Sequence, residues 1–581
     1  MAEAFARRWA PPGVEVFSAG SHPAPRVYPA AAEALREIGL EIGERVPQGL
    51  DALPEGVFDL VVGMGCGDAC PAARAKRVVT WEIPDPKGQL LDQVRRTRDK
   101  IGLKVRRMLA GLRPVRLRFL PTALSGAVLL LCSAFLVMTS VSLSPVLGIP
   151  SPERALARVA GRTLQLREAA GRIPRWERRL HGFCDPSLGS KEEADQLVQW
   201  HRELARLAKD PVVLAHLGIL EGEFGQLDLL RKQTARWTTA APAPIPAYAH
   251  LLEAAYLTSP AQSDEPLLQA QSAEFLPASW FRDRLQERIA RRGGDPARAD
   301  RLRAADRESA SQLFFRYRWM TGLDLALFFL FFGALAVFLS QPAGSSWKAG
   351  TASTPLPWPA RAGMAVLVRG AGLGILLSLG YAFLPFSSHP AATLLSYLVW
   401  TLPILFLVWK YFLKPNGLSL RQELGLDVPL SGGRKLLFLA LLGLGADSMG
   451  GWLIGTTGNF LHLPDHWAES FDADLVFGSR GVVLASITGM VAVGPFFEEL
   501  VFRGLLYGTL RGRTGRIAAA GLSGLFFSLV HGYGILGFLT VFWSGVVFAW
   551  VYEESGSLWV PAAAHGMGNL LYALNVIAML R

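Results

Sequence analysis

One stretch of this chain constrains its fold more than any other, because it carries no charge at all. Residues 119–142, FLPTALSGAVLLLCSAFLVMTSVS, contain no Asp, Glu, Lys or Arg over 24 positions. At about 1.5 Å of rise per helical residue, that length crosses a hydrocarbon core of about 30 Å. Lipid offers no water to satisfy exposed backbone groups, so such a stretch must be helical. Further apolar segments follow near 320–340, 370–386, 391–409, 436–460, 481–498, 516–531, 535–552 and 558–580. The sequence therefore predicts a polytopic α-helical membrane protein with about nine spans. Its composition agrees: 51% of the 581 residues are hydrophobic and only 18% charged, which excludes a disordered chain and argues against a purely soluble one.

Basic residues set the expected orientation. Arg106, Arg107, Arg113, Arg116 and Arg118 precede the first span. Lys348 and Arg361, then Lys410, Lys414, Arg421, Arg434 and Lys435, then Arg511, Arg513 and Arg516 mark alternate loops. The loops 387–390 and 461–476 between them carry no Lys or Arg. This is positive-inside alternation, and it predicts a cytoplasmic N-terminus. The first 20 residues lack the apolar run of a cleavable signal. Topology also accounts for the net charge of +11, so no nucleic-acid partner is expected. The four cysteines, Cys66, Cys70, Cys132 and Cys184, are too few for a disulfide framework.

Two flanking regions differ from the membrane part. Residues 1–112 read as a small α/β unit, with strands at 14–17 and 58–62, helices at 28–39 and 90–112, and a parallel sheet implied by the alternation. Residues 143–317 read as a mostly helical soluble insert on the extracytoplasmic side, rich in Arg, Glu, Ala and Leu. Its His181, Cys184, His201, His216 and His250 are scattered, as surface or core residues are. Residues 320–581 form the membrane domain.

Ionisable groups inside a bilayer are expensive, at least about 2.5–3.5 kcal/mol each at its centre. The last third of the chain has three such groups in order. GPFFEELVFRG holds Glu498, Glu499 and Arg503; FFSLVHG holds Phe527 and His531; HGMGN holds His565 and Asn569. Glu499 and Arg503, four apart, can pair on one helix face, leaving Glu498 free. A carboxylate with two imidazoles and an amide is a set suited to hydrolysis. The carboxylate can act as general base on water, two His and a Glu can hold a divalent metal, and His with Asn can donate to an oxyanion. Asp324 and Asp447 also lie in apolar segments, where they could line a cavity or cap a helix. His462, Asp465 and His466 share a loop and read as surface.

These three motifs, EExxxR, FxxxH and HxxxN, resemble those of the CPBP intramembrane proteases, also called type II CAAX prenyl endopeptidase-like or Abi proteins. The resemblance covers roughly residues 360–580 and shows no departure in the motifs. It implies a helical membrane fold and peptide-bond hydrolysis in or near the bilayer. By that resemblance Glu498 with His531 activates water, and His565 and Asn569 stabilise the oxyanion or help to hold a metal. Glu499, Arg503 and Phe527 support them. Under the metal alternative, Glu498, His531 and His565 would hold a divalent ion such as zinc. The expected partners are the lipid bilayer and a membrane-associated protein or peptide substrate. The expected location is a bacterial inner membrane.

The N-terminal unit resembles the low-molecular-weight tyrosine phosphatase and arsenate reductase family, through MAEAF, VEVFSAGSHP, AAEALREIGLEIGE, FDLVVGMGCGDACP, WEIPDPKG and VRRTRDKI. Asp85 stands at that family's general-acid position, and Cys66 and Cys70 stand where redox partners would. The family's Cys-x5-Arg loop precedes the MAEAF-like helix, whereas here Met1 opens that helix. Either the true start lies upstream or the domain is degenerate; arsenate reductase activity is expected only in the first case. For the whole chain the leading expectation is an intramembrane endopeptidase. The alternatives are a non-catalytic membrane scaffold or immunity protein, and a transporter.

Overall fold

A computed structural model describes the chain apart from residues 43–44, 65–74, 143, 186–187, 189–190, 208–209, 343–346, 349, 353, 386–389 and 428–431. Helix dominates throughout. In the N-terminal unit, Ala2–Trp9 and Pro29–Arg36 pack on the longer helix Leu91–Leu112. Pro29 sits in the first turn, where its missing N–H costs nothing. Phe5, Leu35, Trp81, Ile101, Val105 and Leu109 form the small core. The expected strand at 58–62 is realised as Val61–Gly63, which pairs in parallel with Val78–Thr80, a strand the sequence reading did not anticipate. Residues 14–17 do not form the expected strand. Among the described residues their backbone has no ladder partner, and pairing nearby is reduced to a bridge between Gly20 and Gly49. Cys66 and Cys70 fall outside the described residues.

Among the described residues, eight helices are long and apolar enough to cross a membrane. The sequence suggests about nine segments; two of them, 481–498 and 516–531, fall in one run of 50 residues, Arg480–Leu529. That run is interrupted at Gly515, whose φ of 81° lies in the left-handed region that glycine tolerates best. The first span, Phe119–Ser142, exposes Phe119, Leu120, Leu124, Leu130 and Leu131 by 60% or more, as a lipid-facing helix does. It is held by a close approach of Gly372 to Ser125, and by Arg369, which donates to Thr122 Oγ1 at 2.7 Å and to the Arg118 carbonyl. Gly370 and Gly374 let helix Ala360–Ala382 meet the backbone of Ile404 and Trp400.

Helix Pro296–Leu339 runs 44 residues without a break. It links the soluble insert to the membrane domain, so the expected boundary at 317–320 lies inside a continuous helix. Asp295 caps its start by accepting from the Arg298 N–H at 2.9 Å.

The two soluble units sit at opposite ends of the bundle. Arg107 makes a two-pronged bond to the buried Glu423 carboxylate, 3.1 Å to each oxygen. Arg106 and Arg113 donate to the Gly417 and Pro415 carbonyls at 2.6 Å. At the other end, His466 pairs with Glu203 at 3.2 Å, and Trp467 packs into the insert beside Val146 and Leu156. The basic loops and the N-terminal unit therefore share one end, as the charge pattern predicts.

Inside the insert, Arg284 is nearly buried and bridges Glu168 and Asp306 at 3.2 and 3.0 Å, tying three helices together. Its core also holds two histidines. His201 donates from Nδ1 to the Leu197 carbonyl at 2.7 Å, and His216 stacks on Phe281 with ring centroids 4.1 Å apart. Burial lowers His201 to about 4 and His216 to about 3, the second helped by His201. The unfolded chain thus binds protons that the folded core refuses. Stability is full above about pH 6.5 and falls as pH drops toward 4 and then 3, by about 1.4 kcal/mol per histidine per pH unit. The denaturant midpoint of this region should fall between pH 6.5 and 5. In His201→Gln/His216→Leu that dependence should flatten; an equally steep fall would contradict the assignment.

Candidate active site

The site is built on an irregular helix. From Arg480 the chain runs as α-helix to Thr488, as π-helix over Gly489–Val493, as α-helix over Gly494–Glu499 and as π-helix over Leu500–Tyr507. Pro495 explains part of this. It has no N–H, so the carbonyl one π-turn back, on Met490, loses its helical donor. Asn569 fills the vacancy: its Nδ2 donates to Met490 O at 2.8 Å. Helix Trp559–Leu580 can come that close because residue 566 is glycine. A Cβ there would stand 2.3 Å from the Val491 carbonyl oxygen. One amide proton of Asn569 and its carbonyl oxygen stay available.

Glu499 and Arg503 are both fully buried, joined Nη1 to Oε1 at 2.8 Å. The same Oε1 also receives His565 Nδ1 at 2.9 Å. Glu499 is therefore more than the partner of Arg503; it orients the His565 ring and fixes a proton on Nδ1, since a carboxylate only accepts. Aromatic faces hold the rest of the arginine. Its guanidinium carbon lies 4.1 Å from the Phe527 ring centroid and 5.3 Å from that of Phe548.

Phe527 is the hub of the site. Its ring meets those of His531, His565 and Phe502 at 4.7, 5.8 and 5.1 Å. His531 lies just beyond the end of helix Gly508–Leu529 and donates from Nδ1 to the Phe527 carbonyl at 2.7 Å. A carbonyl cannot donate, so Nδ1 carries the hydrogen and Nε2 presents a lone pair. Tyr533 stacks on the other face at 5.8 Å. His565 is held between Phe527 and Phe548, stacked on the latter at 5.1 Å.

Glu498 lies one position before the buried pair and keeps 20% of its side chain exposed, against none for Glu499. Its Oε2 stands 3.9 Å from His565 Nε2, just beyond hydrogen-bond reach. The structure thus brings Glu498, Glu499, Arg503, Phe527, His531 and His565 together, with Asn569 one turn beyond His565. The grouping of Glu498, His531 and His565 as metal ligands finds no matching arrangement: among the described residues no three His, Cys, Asp or Glu side chains are placed to hold an ion.

Asp447 belongs to the surroundings of this site, which the sequence left open. Ser544 donates to its Oδ1 at 2.6 Å, and its Oδ2 lies against Gly568, between His565 and Asn569. Tyr397, whose hydroxyl packs on Gly494, had no signal in the sequence beyond being a tyrosine in an apolar run. In the N-terminal unit, Asp85 is exposed in a turn, accepting from the Lys87 N–H at 3.0 Å. His462 and His466 are not part of the site; His466 serves the contact with the insert.

Comparison with known proteins agrees with this division. Residues 480–571 match the family model described as type II CAAX prenyl endopeptidase Rce1-like. Residues 1–116 match that of low molecular weight phosphotyrosine protein phosphatase. The chain is 32% identical over 89 residues to "Putative membrane peptidase YdiL" of Bacillus subtilis, covering 15% of this chain and 36% of that protein. It is 34% identical over 110 residues to "Putative arsenate reductase" of Halobacterium salinarum, covering 18% of this chain and 78% of that protein. It is 35% identical over 116 residues to "Arsenate reductase" of Halalkalibacterium halodurans, covering 82% of that protein. The chain therefore spans about a third of YdiL but most of the arsenate reductases. No solved structure matches.

Proposed function

We propose that this chain, which carries a C-terminal Rce1-like CAAX endopeptidase domain behind an N-terminal domain belonging to the arsenate reductase and low-molecular-weight phosphatase family, is an intramembrane endopeptidase. Its substrate is a membrane-associated protein or peptide. The observation that carries this reading is the convergence of His531 and His565 on Phe527 with Glu498 beside His565, from three separate stretches of chain.

Glu498 takes a proton from water, whose oxygen then attacks the peptide carbonyl carbon. His531 Nε2, with Nδ1 fixed to the Phe527 carbonyl, accepts a hydrogen bond from that water and orients it. The carbonyl oxygen becomes an oxyanion. His565, its Nδ1 held by Glu499, lines the oxyanion position, and the amide proton of Asn569 that Met490 leaves free donates to the oxyanion there. Glu498 then returns its proton to the leaving nitrogen as the C–N bond breaks. These steps use the chain's own groups. By the positive-inside pattern, the N-terminal domain faces the cytoplasm and the insert the opposite side of a bacterial inner membrane.

A single turnover in water labelled with heavy oxygen tests the role of Glu498. The label is expected in the new C-terminal carboxylate and not in the Glu498 side chain. Label in Glu498 would mean an acyl-enzyme and would overturn the general-base assignment. A second expectation concerns Gly566→Ala. The added carbon meets backbone at Val491, so the helices must separate and carry His565 with them. A shift of about 1 Å can cost roughly a hundredfold in rate. Peptide-bond cleavage by this variant in purified form should drop by that order; wild-type rates would contradict the packing argument.

A further inference from the structure

We propose that the cleft between the N-terminal domain and the helix turn Trp409–Leu413 binds the phosphate of an anionic lipid headgroup. The cleft has a volume of about 380 Å³. Arg113, Arg116 and Lys410 line it, with the Tyr411 ring and the Asn416 amide, and no carboxylate is among its lining residues. A smaller cavity of about 140 Å³ adjoins it through Arg113, Pro415 and Asn416 and adds Arg106.

Three features point to lipid rather than to a solvated basic face. The first is position. The cleft lies where chain enters the first span at Phe119 and where helix Pro390–Val408 ends, so it sits at the level at which headgroups lie. Phe119 and Leu120 beside it are 84% and 65% exposed, and Trp409 is 45% exposed, as residues at a lipid boundary are. The second is charge. Arg113 spends its donors on backbone carbonyls, those of Pro415 at 2.6 Å and Trp9 at 3.3 Å. Neutral acceptors leave its positive charge uncancelled. Arg116 is exposed, and Lys410 has as its described neighbour the Tyr411 ring, 5.6 Å away. The third is rigidity. Pro11, Pro12, Pro114 and Pro415 frame the opening, so little ordering is needed on binding. Basic pockets on the cytoplasmic side of membrane proteins have the right chemistry for phosphate headgroups. A lipid seated here would touch both Ala10–Pro12 of the N-terminal domain and Lys410–Asn416 of the membrane domain, and so would fasten one to the other.

Arg116 and Lys410 are the residues to change, since Arg113 also holds the backbone together. Native mass spectrometry of the full chain in detergent, with phosphatidylglycerol, phosphatidylcholine or inorganic phosphate added, reads the site directly. The intact chain should retain phosphatidylglycerol in preference to phosphatidylcholine, and inorganic phosphate should not displace it. Each cation at an anionic surface contributes about a fivefold factor, so Arg116→Gln/Lys410→Gln should bind roughly twenty- to thirtyfold more weakly. Equal retention by the double variant would overturn the site. Displacement by inorganic phosphate would overturn the lipid assignment. Neither readout depends on proteolysis, so the proposal stands or falls apart from the enzymatic reading.

Discussion

Glu498→Gln should accumulate in membranes to the wild-type level while hydrolysis falls by roughly 10² to 10⁴, the range a positioned general base contributes. Both halves follow from the geometry. Among the described residues no hydrogen bond holds the Glu498 carboxylate, His565 Nε2 stands 3.9 Å from it, and a fifth of its side chain is exposed. The amide is isosteric, so the fold loses little. The chemistry loses its proton acceptor, because a glutamine amide cannot take a proton from water near neutral pH. Quantitative blotting against rate on the same membranes checks both. Unchanged hydrolysis would remove Glu498 from the mechanism. Loss of the protein itself would show that Glu498 is structural.

Arg503→Ala should behave in the opposite way. Arg503 and Glu499 are fully buried, and the arginine also covers the Phe527 face. Removing it leaves an uncompensated carboxylate in a low-dielectric bundle, a change that typically costs about 3–5 kcal/mol. That is a large part of the roughly 5–15 kcal/mol that keeps an ordinary domain folded. Membrane levels should therefore fall several-fold or more. Replacing both members by uncharged groups of similar volume is far milder. Glu499→Gln/Arg503→Met should thus restore abundance. It should not restore hydrolysis, because His565 Nδ1 loses the carboxylate that orients it. Equal loss in the single and double variants would show that the burden lies in packing rather than in the unpaired charge.

Local spacing made much of the site legible. Glu499 and Arg503 pair as their separation of four suggests, and His565 and Asn569 point the same way along one helix. The partners of these residues were not legible, because they come from elsewhere. Asn569 meets Met490, 79 positions away, and Ser544 meets Asp447, 97 away. The π-helical stretches were also hidden. A pattern read at 3.6 residues per turn has no term for a widened turn, and only Pro495 hinted that a carbonyl would need an outside donor. Apolar runs located the spans, but not the continuity of Pro296–Leu339, since nothing in RYRWMTGLD breaks a helix and nothing requires it to continue. In the N-terminal unit, residues 14–17 have the composition of a strand but lack a partner among the described residues, and composition cannot supply one.

The most direct test of the account is to map new N- and C-termini by mass spectrometry in host membranes that contain equal amounts of the intact chain or of Glu498→Gln. The expected result is a set of peptide ends present only with the intact chain, which would identify the substrate and the bond cut. Identical termini in the two membranes, with the same cellular phenotype, would contradict the endopeptidase and leave a membrane scaffold in its place.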